Sequence, residues 1–174
     1  RRPVLSNEDL SRLRECDLEG LRSETISILF DPTKTGGLKV AMDEVRTASS
    51  NAVEAGASIL ILSDRGVDSK HAPIPSLLAT SGIHHHLIRE GIRTKVGIVV
   101  ETGEAREVTH FALLIGFGAG AVNPYLAFET LQNQIKDGDF LTEMSPEQAI
   151  DNYLAASQKG ILKIMSKMGI STIQ

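Results

Sequence analysis

Ser58-Ile59-Leu60-Ile61-Leu62, followed by Ser63-Asp64-Arg65-Gly66, is the stretch that decides the fold. Its apolar residues do not alternate with polar ones, so both faces of the strand it predicts must be buried. That is the signature of a parallel sheet covered by helices. Ser63-Asp64-Arg65-Gly66 then takes the chain off the strand's end.

Working outward, the same cycle recurs. Upstream, Thr25 to Phe30 is a β-branched and apolar run ended by Asp31-Pro32, which predicts a strand, and Gly36-Gly37 closes the following loop. Leu38, Ala41, Met42, Val45, Ala48, Ala52 and Val53 recur every three or four residues, predicting an amphipathic helix stopped by Gly56. Downstream, a loop with Pro73 and Pro75 leads to a helix over Ser76–Glu90, and Lys95–Val100 is the third strand. A helix over Glu107–Phe117, a very short strand before Pro124 and a helix over Leu126–Ile135 follow. Ser145, Pro146 and Gln148 form a capping box with proline in the first turn. They predict a last helix from Pro146 to Met168, bent at Gly160 and stopped by Gly169, with a fifth strand from Ile170. Near the N-terminus, Ser6 and Asp9 cap a short helix reaching Arg14, and Cys16 to Glu24 is polar connection.

A cycle of about 30 residues is the βαβ unit. The fold class is therefore α/β, a parallel sheet of about four to five βα units, either doubly wound or part of a β/α barrel. Periodicity leaves those two open. The polar stretch Lys136-Asp137-Gly138-Asp139 is the one candidate boundary.

Composition removes several function classes. The 18 Lys+Arg against 22 Asp+Glu leave a net charge of −4, and no basic run offers the phosphate neutralisation that nucleic-acid binding rests on. No stretch approaches the roughly 20 apolar residues of a membrane span. Cys16 is the single cysteine, so disulfides within the chain and an all-cysteine cluster site are ruled out. The first residue is Arg1 rather than Met, and Ile170 to Gln174 reads as a strand just beginning. Both suggest a piece of a longer polypeptide.

In either architecture, ligands meet the loops at the carboxyl ends of the strands. Those loops carry Asp31 with Thr33 and Lys34, Asp64-Arg65-Gly66, Glu101 with Glu104, and Asn123. Asp64 and Glu101 end successive strands and could converge for acid–base or metal chemistry. The structural alternative, helix caps or pairs with Arg65 and Arg106, is favoured. His84-His85-His86 on a helix fan about 100° apart and cannot grip one ion, because ligands on one helical face need spacings of three or four. Gly116-Phe117-Gly118-Ala119-Gly120 lacks the preceding strand of a dinucleotide loop and is read as a tight helix-to-strand turn. A nucleophile elbow Gly-x-Ser-x-Gly is absent. A free-standing enzyme or small-ligand-binding domain would have to use the Asp64/Glu101 loops or the Gly116–Gly120 turn.

Two long ordered stretches carry a resemblance. One begins Leu62-Ser63-Asp64-Arg65-Gly66, takes in His71-Ala72-Pro73-Ile74-Pro75-Ser76-Leu77-Leu78-Ala79, and runs through His84-His85-His86-Leu87-Ile88-Arg89-Glu90-Gly91. It continues in Glu101-Thr102-Gly103-Glu104-Ala105-Arg106-Glu107 and Asn123-Pro124-Tyr125-Leu126-Ala127. The other is Lys159-Gly160-Ile161-Leu162-Lys163-Ile164-Met165-Ser166-Lys167-Met168-Gly169-Ile170-Ser171-Thr172. Together they resemble the central domain of the glutamate synthase large subunit, running into the first strand of its FMN-binding synthase domain.

The resemblance implies a rudimentary, incomplete TIM-like β/α barrel. It implies a parent enzyme that forms two glutamates from glutamine and 2-oxoglutarate with electrons from NADPH or ferredoxin, in the cytoplasm or, in a plant, the plastid stroma. It divides the chain into an N-terminal helix and linker (1–24), a central βα domain (25–145), and a last helix and first strand (146–174) leading into the synthase domain. FMN and an iron–sulfur cluster belong to the parent enzyme, with no cofactor expected in this piece alone. Its partners would be the glutaminase and FMN-binding domains of the same polypeptide, with a small NADPH-dependent subunit or ferredoxin beside them. Of this chain's residues, Met168, Gly169, Ser171 and Thr172 match positions near FMN and 2-oxoglutarate. No catalytic or metal-ligating residue carries over, and the expected role is a brace that helps wall the internal ammonia route.

Overall fold

The computed structural model describes residues 2–18, 20–138 and 143–173. Asp139, the last residue of the candidate boundary stretch, lies outside them.

The elements in chain order are α1 (Asn7–Arg14), β1 (Asp17–Leu18), β2 (Leu21–Ser27), β3 (Leu29–Phe30), α2 (Gly37–Glu54), β4 (Ile59–Ser63) and β5 (Ala72–Pro73). They continue with α3 (Ser76–Arg89), a 3-10 turn at Arg93–Lys95, β6 (Gly97–Glu101), α4 (Val108–Gly116), β7 (Ala121–Asn123), α5 (Tyr125–Lys136) and α6 (Pro146–Met168). The main sheet has the order β1-β2-β4-β6-β7, and β2, β4, β6 and β7 run parallel. Each parallel strand is added beside the one before it, without the reversal of order that marks a doubly wound sheet.

The side-chain alternation shows where the helices lie. Ile26, Ile28, Leu60, Leu62, Ile98, Val100 and Val122 point into one large core. Facing them there are Val45 and Val53 of α2, Ile83 and Leu87 of α3, Phe111 of α4, Phe128 of α5, and Leu154 and Ile161 of α6. All five helices therefore cover the same face of the sheet. The other face carries Ile61 and Val99 and is plugged by Leu10 of α1, with Leu5 and Leu13 beside it. Successive order with helices on one side is the arrangement of an open β/α barrel segment, and it settles the alternative that periodicity left open.

Local chemistry explains the best-defined elements. Ser6 and Asp9 close a capping box on α1, and Ser145 and Gln148 close one on α6. Tyr153 of α6 packs edge-on against Phe111 at 6.4 Å and Phe128 at 5.9 Å, tying α4 and α5 together. Its hydroxyl donates to the Arg106 carbonyl at 3.0 Å, and burial pushes its pKa up to about 12. Gly160 allows α6 to lie against Val108, because a Cβ there would stand 2.5 Å from a Val108 methyl.

Three expectations are corrected. Cys16 to Glu24 is not simple connection: β1 pairs antiparallel with the start of β2, so the first parallel strand begins at Leu21. The run to Phe30 is not one strand, since Leu29–Phe30 leaves the main sheet and pairs with Ala72–Pro73. The fifth strand from Ile170 does not form over Ile170–Ile173, because these residues have no ladder partner among the described residues. A strand exists only by pairing, whatever its composition.

Candidate functional site

The carboxyl ends of β4, β6 and β7 bring the sequence's candidate acids together in one place. Glu101 ends β6 and is 1% exposed. One of its oxygens accepts from Arg65 Nε at 2.7 Å. The other accepts from Arg14 at 2.7 Å and from the Ser63 hydroxyl at 2.6 Å. Asp64 is 3% exposed and accepts from the Thr102 hydroxyl at 2.6 Å and the Gly103 N–H at 3.0 Å. Both carboxylates are thus engaged by donors from the surrounding residues of the same chain.

Further bonds extend the network. Arg65 reaches Glu129 of α5 at 3.2 Å and lies over the Tyr125 ring at 3.9 Å from its centroid. Burial opposes the Arg65 charge, but hydrogen bonding and attraction to Glu101, then to Glu129, hold its pKa above the ordinary value. Burial first, and then a hydrogen bond and charge from Asp64, raise the Tyr125 hydroxyl well above the usual tyrosine range. Tyr125 therefore stays a neutral phenol near neutral pH.

The other strand-end groups are also engaged. Glu104 accepts from the Ser76 N–H at 2.6 Å and so caps α3 from outside. Asp31 holds its own loop through Thr33, whose side-chain and backbone hydrogen bonds lower the Asp31 pKa. Asn123 donates to the Leu5 carbonyl at 3.2 Å and to Asn7 at 3.0 Å, fixing the N-terminal segment. That segment lies along the edge of β7, with Val122 N–H donating to Pro3 and Leu5 N–H donating to Val122.

The structural reading holds for Glu101 with one change of partner, whereas Asp64 neither caps a helix nor pairs with an arginine among the described residues and instead holds the Thr102–Gly103 turn. Arg65 pairs with Glu101 as expected, but the second cation is Arg14 rather than Arg106. Arg14 lies 87 residues away in sequence, and no local pattern signals that contact. Ser63, Thr102, Tyr125 and Glu129 were likewise invisible as members of the cluster.

The histidines diverge as their spacing requires. His84 accepts from Arg93 at 2.9 Å, His86 meets the Ser50 hydroxyl at 2.8 Å, and His85 packs edge-on against His84. Among the described residues no three metal-binding side chains come together. Gly116–Gly120 is the tight turn, with Gly118 at φ +116 and the Gly118 carbonyl held by Arg93 at 2.9 Å. Cys16 is a half-buried free thiol.

The glutamate synthase central domain family matches residues 1–174. The chain belongs to that family. It is 48% identical over 172 residues to the glutamate synthase (NADPH) large chain of Bacillus subtilis strain 168, covering 99% of this chain and 11% of that one. It is 38% identical over 181 residues to the ferredoxin-dependent glutamate synthase of Pyropia yezoensis, covering 98% of this chain and 12% of that one. The chain therefore spans about a tenth of the length of these relatives. Among solved structures, a flavocytochrome b2 variant with benzoylformate superposes with a TM-score of 0.55 at 19% identity, over 74% of this chain and 30% of that one. That likeness is one of fold. No helix among the described residues is long and apolar enough to cross a membrane.

In this glutamate synthase central domain, Met168 is the last residue of α6, and Gly169, Ser171 and Thr172 follow it. Gly169 caps the helix in the left-handed conformation at φ +70, with nothing within 4 Å of where a Cβ would stand. Met168 is 68% exposed, and Gly169 to Ile173 are exposed with it. This exposed tail carries the hydroxyls of Ser171 and Thr172.

Proposed function

We propose that this chain is the bracing central domain of a glutamate synthase polypeptide. The parent enzyme would form two L-glutamates from L-glutamine and 2-oxoglutarate with electrons from NADPH or ferredoxin. The brace joins the glutaminase domain to the FMN-binding synthase domain and helps line the ammonia route between them. Met168, Gly169, Ser171 and Thr172 of this domain would lie at the edge of the site for FMN, which when bound would supply the reducing electrons. The iron–sulfur cluster, the electron-donor surface and the NADPH-dependent subunit or ferredoxin belong to the rest of that assembly. The cytoplasm or plastid stroma suits such an enzyme.

The observation that carries the bracing role is the closure of the strand-end acids. A general base needs a lone pair facing substrate, and a metal needs an open coordination position. Glu101 gives its oxygens to Arg14, Arg65 and Ser63, while Asp64 gives its own to Thr102 and Gly103. What remains is a clamp that fixes the ends of β4, β6 and the following loops. The test is to assay this chain alone for glutaminase activity and for reduced-flavin-dependent glutamate formation. Neither is expected, and appreciable turnover in either overturns the reading.

A further inference from the structure

At the opposite end of the sheet, where β6 and β7 begin, a cleft of about 610 Å³ opens between α3, α4 and α6. Ile115 of α4 and Ile161, Ile164 and Met165 of α6 give it apolar walls, and Met168 with the tail at Ile170, Thr172 and Ile173 completes its rim. Its charged group is Arg93, flanked by His84. Arg93 Nε donates to His84 Nδ1 at 2.9 Å, one terminal nitrogen to the Val96 carbonyl at 2.7 Å, and the other to the Gly118 carbonyl at 2.9 Å. A guanidinium has five N–H donors, so each terminal nitrogen keeps one free.

Every acceptor of Arg93 is neutral. Among the described residues no carboxylate lies within 4.0 Å of it. Burial alone pulls its pKa below the ordinary value, whereas the carboxylates around Arg65 hold that one above. Arginine nevertheless stays charged in proteins. His84 brings no counter-charge, since burial, then Arg93 and His85, lower its pKa and favour the neutral ring. A half-buried cation beside apolar walls, with one N–H left on each terminal nitrogen and no carboxylate of the described residues beside it, suits an anionic group such as a carboxylate.

We propose that this cleft binds an amphipathic carboxylate. The acid group sits on the two free Arg93 donors, and an unbranched apolar chain lies against Ile115, Ile161, Ile164 and Met165. The cleft volume falls within the range of small-molecule sites, roughly 300–1,000 Å³. The cleft shares Met168 and Thr172 with the residues proposed to edge the FMN site, but the carboxylate is held by Arg93, so failure of the bracing role leaves the proposal standing.

Titrating this chain with octanoate, 1-octanol and octylamine by NMR tests it, because the three share one tail. Octanoate should bind at least about tenfold more tightly than 1-octanol, as a charge-assisted pair of hydrogen bonds implies, and octylamine should bind no better than the alcohol. Equal affinity for octanoate and 1-octanol overturns the proposal. Ile164→Glu places an anion on the cleft wall and should reduce octanoate affinity at least about tenfold by like-charge repulsion, without touching the Arg93 hydrogen bonds. Unchanged octanoate binding in that variant puts the ligand elsewhere and also overturns it. Displacement of octanoate by FMN from the wild-type chain, lost in Ile164→Glu, would assign the cleft to a phosphate ester instead.

Discussion

The two ends of the sheet treat charge in opposite ways. At the carboxyl ends, Glu101 and Asp64 are buried, and each accepts hydrogen bonds from donors of the same chain. At the amino ends, Arg93 is held by neutral acceptors beside an apolar cleft. In β/α barrels the carboxyl end is where chemistry usually sits and the amino end is where stability resides. Here the usual catalytic end is sealed by its own chain. The difference teaches that position in a fold indicates where to look, while the state of the donors and acceptors decides what a site can do.

The sharpest way to break this contrast is at the sealed end. Glu101→Ala leaves Arg14 and Arg65 facing each other without their shared anion. Both arginines are partly solvated, so the cost should be about 3 kcal/mol, at the low end for a broken buried pair. Urea unfolding measures it. An unchanged midpoint would mean that the clamp is decorative.

The next largest effect belongs to the other end. Gly118→Ala forces a side chain into a left-handed backbone at φ +116 and against the His84 ring. We expect a loss of about 2 kcal/mol, with the His84 ring resonances shifting in the NMR spectrum. Gly116→Ala, two residues earlier, should act in the reverse direction. A Cβ there meets nothing within 4 Å, so the gain in helix propensity should stabilise α4 by about 0.5 kcal/mol.

The smallest effect is a pH dependence at His84. Burial, followed by Arg93 and His85, depresses its pKa below 6.5, so the unfolded chain binds the proton more readily than the folded one. His84 then contributes full stability above about pH 6.5, and that contribution falls as pH drops through the depressed folded value. In His84→Gln the slope over that window should diminish. A slope of opposite sign in the wild-type chain would contradict the assigned environment.

Much of this fold was legible because its signals are local. Ile59 to Leu62 is apolar on both faces, and Ser145 with Gln148 writes the start of α6 three residues apart. The missed features all depend on distant pairing. Leu21 and Arg22 are exposed and show no alternation, so nothing marked them as strand until β1 folded back at Gly20, φ +79. Leu29–Phe30 leaves the main sheet only because Ala72–Pro73 waits for it. Conversely, Ile170 to Ile173 has strand composition but finds no neighbour to pair with among the described residues. At the site, Asp64, Arg65 and Glu101 could be picked out as strand-end residues. Arg14 could not, because it enters from α1, on the far face of the sheet.

The most direct test of the bracing account is Glu101→Gln in a full-length glutamate synthase carrying this domain. Unfolding of the domain and both partial reactions, glutaminase and glutamate formation, would be measured on the same preparation. The account predicts a lowered unfolding midpoint with both activities unchanged per folded molecule. Undiminished stability with loss of either activity would contradict it, and would make Glu101 a chemical group.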